Sequence, residues 1–304
     1  MTASIPPGMI PAAGEPAALR AILTVTRLDH DADPGSLLAL MANRENPCVL
    51  DSSAYHPEHG RYTLFACSPL WILEMAGAVL RDGRGAAVAG ETDDIWAALD
   101  RAFTCVAVRE THPAPFSPGW IGYFGYDLAR RLERLPVQAD NDEQLPEMAV
   151  GIYDWALVVD HKKRQSWLVS PGRDPRTLTR WPELIRLFSK ASHQTSQKPF
   201  RVLEQVTSNF SYAQYASAFE RIQHYIREGD CYQVNLAQRF ETTCEGDPWQ
   251  AYQQLRDINP APFAAYLNLP FAQILSASPE RFLAVNNGNV ITQPIKGTRP
   301  RSAE

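Results

Sequence analysis

Between Phe263 and Ile295 the chain lays down strand-length runs with no helical stretch among them. They are Phe263 to Leu269, Gln273 to Ser278, Phe282 to Asn286, and a run through Val290, Ile291, Gln293 and Ile295. The last two are joined by Asn287-Gly288, a dipeptide that favours the tight turn of an antiparallel hairpin because both residues tolerate positive φ. Elsewhere, too, strand and helix patterns come in blocks rather than in strict alternation. A doubly wound parallel sheet needs a helix after each strand, so this order predicts an α+β fold of antiparallel strands.

Upstream, Ala18 to Leu28 reads as a first strand, and Asp33-Pro-Gly opens a short helix through Leu37, Leu38 and Met41. Cys48-Val-Leu-Asp-Ser-Ser is a strand ending in small hydroxyls. His56 to Gly60 is a polar loop, and Arg61 to Pro69 alternates as a strand. Trp71 to Ala76 and Ala78 to Arg81 form a hairpin. The spacing of Ile95, Ala98, Leu99 and Phe103 predicts a helix over Asp94 to Val106. Gly119-Trp-Ile-Gly-Tyr-Phe-Gly interleaves three glycines with aromatics. That pattern fits close approach to another backbone or a bound molecule, and equally a strand under bulky neighbours. Met148 to Asp160 and Ser166 to Ser170 read as one long hairpin around His161-Lys-Lys-Arg-Gln, and Arg176 to Ala191 reads as a basic helix.

Ser192-His-Gln-Thr-Ser-Gln-Lys-Pro199 has the composition of a linker. The expected organisation is a loose tail over 1–16, a domain over 17–191, a linker over 192–199 and a second domain over 200–304. That second domain opens with a helix from Tyr212 to Glu228. Ser211 and Gln214 give it a capping box, Tyr215, Phe219, Ile222 and Ile226 a buried stripe, and Gly229 a stop. Cys231 to Phe240 alternates Tyr232, Val234, Leu236 and Phe240 against Gln233, Asn235 and Arg239, a two-faced strand. Asp247-Pro-Trp starts a further helix, with an N-cap and a proline at its first position.

A net charge of -5 excludes a general binder of nucleic acid or anionic membrane, so any anion must be held by a local cluster. The five cysteines form no Cys-x-x-Cys and suit reduced thiols, most of them small core residues. The histidines show no metal-ligand spacing, which argues against zinc. The proline- and alanine-rich start lacks the basic and apolar regions of a signal peptide, and no apolar run is long enough to span a membrane. The expectation is a soluble, cytoplasmic protein.

One local cluster stands out. Lys296 sits where the last strand breaks, followed by Gly297, Thr298, Arg299 and Arg301. Glycine lets backbone approach a ligand, threonine offers a hydroxyl, and arginines hold anions. A lysine crowded by cations and shielded from water becomes a usable nucleophile. A phosphate-cradling loop needs Gly-Lys-Ser/Thr before a helix, and the order here is Lys-Gly-Thr after a strand.

Ser278-Pro-Glu-Arg-Phe282 and Pro294-Ile-Lys-Gly-Thr-Arg-Pro300 resemble motifs of the chorismate-utilising enzymes. So do Gly229 to Phe240, Phe124 to Arg131 and Leu145 to Trp155, all in the same order. Within that family the chain is most similar to the component I branch of the aminodeoxychorismate synthases. The resemblance implies a two-lobed sandwich of antiparallel sheets with flanking helices, as in anthranilate synthase component I, whose catalytic lobe is incomplete in these residues.

It also implies a transferase that converts chorismate and ammonia to 4-amino-4-deoxychorismate, the precursor of p-aminobenzoate and folate. Lys296 is then the nucleophile and Glu280 the proton donor, with Gly297 and Thr298 against substrate. Anthranilate synthases resemble this pattern with alanine at the lysine position. The alternatives are therefore an anthranilate synthase component I, or a non-catalytic module that binds tryptophan or docks an amidotransferase. The family's magnesium ion (Mg2+) holds the ring carboxylate, through ligands expected beyond Glu304. Ammonia comes from a separate glutamine amidotransferase subunit. Ser52, His59, Gly60, Arg61, Tyr62, Pro262, Phe263 and Ala264 match a pocket for L-tryptophan, although Leu50-Asp51-Ser52 departs from the Leu-Glu-Ser of many anthranilate synthases.

Overall fold

Every strand pair in the described residues is antiparallel. The structure, a computed structural model, describes residues 23–28, 40, 44–53, 60–76, 79–82, 87–89, 95–104, 112–138, 141–189 and 198–295. In chain order the elements begin with β1 (Thr24–Leu28), β2 (Cys48–Asp51), β3 (Tyr62–Ala66), β4 (Trp71–Ala76), β5 (Val79–Asp82) and β6 (Ala87–Ala89). Helix α1 (Ile95–Thr104), β7 (Trp120–Phe124), a 3-10 helix (Tyr126–Arg131), β8 (Met148–Ile152), β9 (Ala156–Asp160), β10 (Gln165–Ser170) and α2 (Pro175–Ser189) follow. Next come β11 (Arg201–Val202), β12 (Thr207–Ser208), α3 (Tyr212–Glu228), β13 (Phe240–Glu241), β14 (Cys244–Glu245) and α4 (Pro248–Ile258). The described chain closes with β15 (Phe263–Asn268), β16 (Gln273–Ser278), β17 (Arg281–Asn286) and β18 (Asn289–Gln293). The helix expected after Asp33 and the polar loop from His56 lie outside the described residues, except for isolated positions.

A seven-stranded sheet runs β1-β10-β9-β3-β2-β15-β16 and a five-stranded one β6-β5-β4-β8-β7. The chain groups into two units, Met1–Thr195 with Tyr252–Glu304, and Ser196–Ala251. The segment from Tyr252 joins the first unit because β15 pairs with β2, Ala264 opposite Asp51 and Leu267 opposite Cys48. The division between the units after Thr195 falls within the expected linker over 192–199, of which only 198 and 199 are among the described residues.

In the first unit, Leu73, Met75, Met148, Val150 and Ile152 from the five-stranded sheet pack with Ala98, Leu99 and Ala102 of α1. Cys48, Ala66, Ala149, Tyr153, Ala156 and Leu267 form a second cluster that draws on both sheets. Cys48 and Cys67 are thus core thiols, as expected, whereas Cys231 is half-buried and Cys244 exposed. The glycine-aromatic segment is explained by backbone contact. A Cβ on Gly122 would lie 2.0 Å from the Ala149 carbonyl oxygen, so β7 reaches β8 only with glycine there.

Three expectations are corrected. The run Met148 to Asp160 is two strands in two sheets, and the hairpin is β9 with β10 alone. The break is Tyr153 to Trp155. The Tyr153 N–H donates to Gly119 O, and the Asp154 carboxylate accepts from the N–H groups of Arg173 and Asp174. Second, the α3 stripe is exposed: Tyr215 36%, Phe219 50% and Ile226 39%, with no residue of the helix buried. The helix itself has its capping box and a left-handed Gly229 at its end, so local signals define it without a packed face. Third, Cys231 to Phe240 is not a ten-residue strand; only Phe240–Glu241 pairs, with Thr207–Ser208. Strand hydrogen bonds are made to a neighbour, so side-chain alternation alone does not form a ladder.

Candidate functional site

The C-terminal end of β2 is clipped to the loop between α4 and β15. Ser52 Oγ lies 2.8 Å from Tyr62 O and 3.1 Å from Pro262 O, sharing its one proton between two carbonyls. Ser53 Oγ donates to Ala261 O and accepts from Ala261 N–H. The clip leaves a cavity of about 440 Å³, within the usual range for small-molecule pockets. Its walls include Leu64, Phe116, Tyr62 and Phe263 on the apolar side and Asp51, Ser52, Arg61 and Arg281 on the polar side. Phe116 stands edge-on to Tyr62, ring centroids 5.1 Å apart.

Six of the eight positions expected to line a tryptophan pocket are brought together here: Ser52, Arg61, Tyr62, Pro262, Phe263 and Ala264. Gly60 precedes β3 and is not among the lining residues, and His59 lies outside the described residues. Phe116 and Arg281 line the cavity although sequence reasoning did not select them. Phe116 carries no local signal, being an aromatic in a proline-rich connection. Arg281 had one, since it opens the strand after the Ser278-Pro-Glu motif.

The charged groups here are mostly paired. Arg61 forks onto Asp160, with Nε to Oδ1 at 2.9 Å and Nη2 to Oδ2 at 2.6 Å. Burial alone pushes the Asp160 carboxyl up, but the Arg61 hydrogen bond and charge and the Lys163 and Lys162 N–H groups outweigh it and hold it below its ordinary value. Asp51 is fully buried and accepts from Thr63 Oγ1, Tyr252 OH and Arg256 Nε. Burial, with the Asp51 charge adding to it, pushes the Tyr252 phenol far up, so it stays a neutral donor. The first pair ties the residue before β3 to the end of β9, and the second ties β2 to α4.

Glu280 sits in the turn between β16 and β17, half-buried, its N–H donating to Ser278 Oγ and its carbonyl accepting from that hydroxyl. The Asn287-Gly288 turn has φ of 49° and 78°, as a tight hairpin turn requires, and returns the chain as β18 toward Lys296. That strand ends at Gln293, two residues before the expected Ile295. Lys296, Gly297 and Thr298 lie outside the described residues, so the structure gives no geometry for the expected nucleophile.

The sequence profile of the chorismate binding enzymes matches residues 62–304. The chain belongs to this family. One relative, the aminodeoxychorismate synthase component 1 of Escherichia coli strain K12, is 42% identical over 251 residues, 82% of this chain and 53% of the relative. The corresponding protein of Klebsiella aerogenes is 40% identical over 259 residues, 84% of this chain and 55% of the relative. Anthranilate synthase component 1 of Thermus thermophilus is 36% identical over 220 residues, 70% of this chain and 46% of the relative. The chain therefore spans about half the length of the curated relatives it matches. The crystal structure of anthranilate synthase component I from Streptococcus pneumoniae superposes with a TM-score of 0.61 at 22% identity, covering 87% of this chain and 59% of that one. That likeness establishes the shared fold, and the α+β architecture agrees with it. No helix among the described residues is long and apolar enough to cross a membrane.

Proposed function

We propose that this chain is the chorismate-binding part of an aminodeoxychorismate synthase component I, forming 4-amino-4-deoxychorismate in the cytoplasm for p-aminobenzoate and folate. The observation that supports this reading is the 42% identity to an enzyme of that name, beside a family match over residues 62–304, a span that includes Glu280 and Lys296. The Lys296 amine attacks chorismate at C2, both ring double bonds shift by one position, and the C4–O bond breaks so that the hydroxyl leaves as water with a proton from Glu280. A carboxyl is needed there because hydroxide is a poor leaving group. Ammonia then adds at C4 and expels the lysine. Ser278 supports this role for Glu280 by fixing the backbone on which the carboxyl is mounted.

A partner glutamine amidotransferase supplies the ammonia. Magnesium is the family's means of holding the ring carboxylate. The described residues gather no cluster of three acidic, histidine or cysteine donors, so they do not make that site and no step is assigned to the metal. The cavity beside β2 takes L-tryptophan, its indole among Leu64, Phe116 and Tyr62.

The test is intact-mass analysis of the full-length protein and its Lys296→Ala variant after incubation with chorismate, magnesium and ammonium. We expect an adduct on the wild type and none on the variant, with amination rates lowered at least about a hundredfold. A variant that keeps its rate and product removes Lys296 from the nucleophile role. Formation of 2-aminobenzoate by the wild type would favour the anthranilate synthase reading.

A further inference from the structure

Arg281 differs from the other charged groups of the cavity. Arg61 is answered by Asp160 in a two-point fork, and Asp51 by Arg256, so each of those pairs is close to neutral. Arg281 has neutral partners. Its Nε donates to Gln293 Oε1 at 3.1 Å across β17 and β18, and its guanidinium carbon lies 4.6 Å from the centre of the Phe263 ring. Among the described residues no carboxylate pairs with it. Stacking on Phe263 fixes the guanidinium plane, and the single bond through Nε leaves both terminal nitrogens free to donate at a wall of the cavity. A planar fork held in this way, with its charge uncompensated, matches a carboxylate.

We propose that Arg281 determines the specificity of the cavity by taking the carboxylate of an aromatic ligand whose ring lies against Phe116 and Tyr62. The proposal rests on the reading of this cavity as an aromatic amino acid site and names the group that selects for the acid. It also has a structural consequence. Arg281 is bonded directly to Glu280, and Phe263 pairs with Ser278, whose hydroxyl holds the Glu280 backbone. An anion seated on Arg281 therefore fixes the turn that carries the proposed acid.

The experiment is calorimetric titration of the purified protein with L-tryptophan and with tryptamine, which keeps the indole and ammonium but lacks the carboxylate. A hydrogen-bonded charge pair is worth about tenfold to a hundredfold in affinity, so the wild type is expected to prefer tryptophan by at least about tenfold. In Arg281→Gln the preference falls below about threefold while tryptamine binds as before. In Arg281→Lys, which keeps the charge but loses the fork, the preference is intermediate. This second variant decides the matter if the first does not fold by circular dichroism. An unchanged preference in a folded variant, or a wild type that binds both ligands equally, overturns the role of Arg281 and leaves the aromatic site standing. A wild type that binds neither ligand overturns the site reading and the Arg281 assignment with it.

Discussion

His161 ends a chain of hydrogen bonds that begins at the most buried acid of the site. The Thr63 hydroxyl donates its single proton to Asp51 Oδ1, so its oxygen accepts from His161 Nε2–H at 2.8 Å. The imidazole is held as the Nε2–H form, and the proton that titrates is the one on Nδ1. Burial lowers its proton affinity from the ordinary 6.5; Arg256 adds to this, while Asp51 and Asp160 oppose it. Lys162 and Lys163 follow it in the turn, and Arg61, just before β3, accepts the His161 backbone N–H at its carbonyl. The sign follows from which state holds more protons. Below 6.5 the unfolded chain protonates this histidine before the folded one does, so stability falls as pH drops through that value toward the lower folded one. Thermal melts from about pH 8 to about pH 5 should show an acid-side loss, and His161→Gln, which keeps an N–H donor, should flatten it. Identical slopes for the two proteins would remove His161 as a cause. At this scale the motif residues Ser52, Arg61, Tyr62 and Pro262 to Ala264 are legible in the sequence, because a run of matched positions marks them. Asp51 is legible only as a departure from a motif. Its partners Thr63, Tyr252 and Arg256 come from separate elements, and nothing in a linear pattern joins them to it.

Strand β7 owes its position to a missing side chain. Adding a Cβ at Gly122 would place it 2.0 Å from the Ala149 oxygen and 2.6 Å from the Val150 Cα, both backbone atoms of a buried strand that has no room to shift. Gly122→Ala should therefore cost at least about 3 kcal/mol, the upper end of ordinary overpacking. Gly119, just before the strand, has no heavy atom within 4 Å of the place an added methyl would take, and Gly119→Ala should stay within about 0.5 kcal/mol of wild type. Denaturant melts of the two variants make the comparison, and equal stabilities would refute the close-approach account. The sequence leaves this choice open, since glycines among aromatics fit either a backbone neighbour or bulky side chains. The same limit hides the break between β8 and β9. Both strands are buried along their whole length, so the apolar run continues through Tyr153 and Trp155 with no polar residue but Asp154 to mark it. Helix α3, by contrast, is legible to the residue, because Ser211, Gln214 and Gly229 act through local backbone bonds.

Over the molecule as a whole, stability is unevenly distributed, and the proposed chemistry lies at its weak end. β9 is buried at every position and paired on both sides, by β10 and β3. The β17 and β18 hairpin is a separate two-stranded sheet with Phe282 85%, Val285 68%, Val290 63% and Ile291 52% exposed. Two strands alone are marginal in water; Arg281 closes the pair on Gln293 and reaches out of it at its base to the Phe263 ring of β15. Yet Glu280 stands at one end of that hairpin and Lys296 follows the other. Hydrogen exchange read by mass spectrometry should find amides of β3, β9 and β10 protected to the level of global unfolding, and those of 281–293 exchanging at the earliest times. L-tryptophan should slow exchange in 281–293 if Arg281 holds its carboxylate, because the ligand then adds a second anchor at the hairpin base, while β9 is unaffected. Protection of the hairpin equal to that of β9 in the free protein would mean that the exposed apolar residues are covered in solution, and the weak-end account would fail.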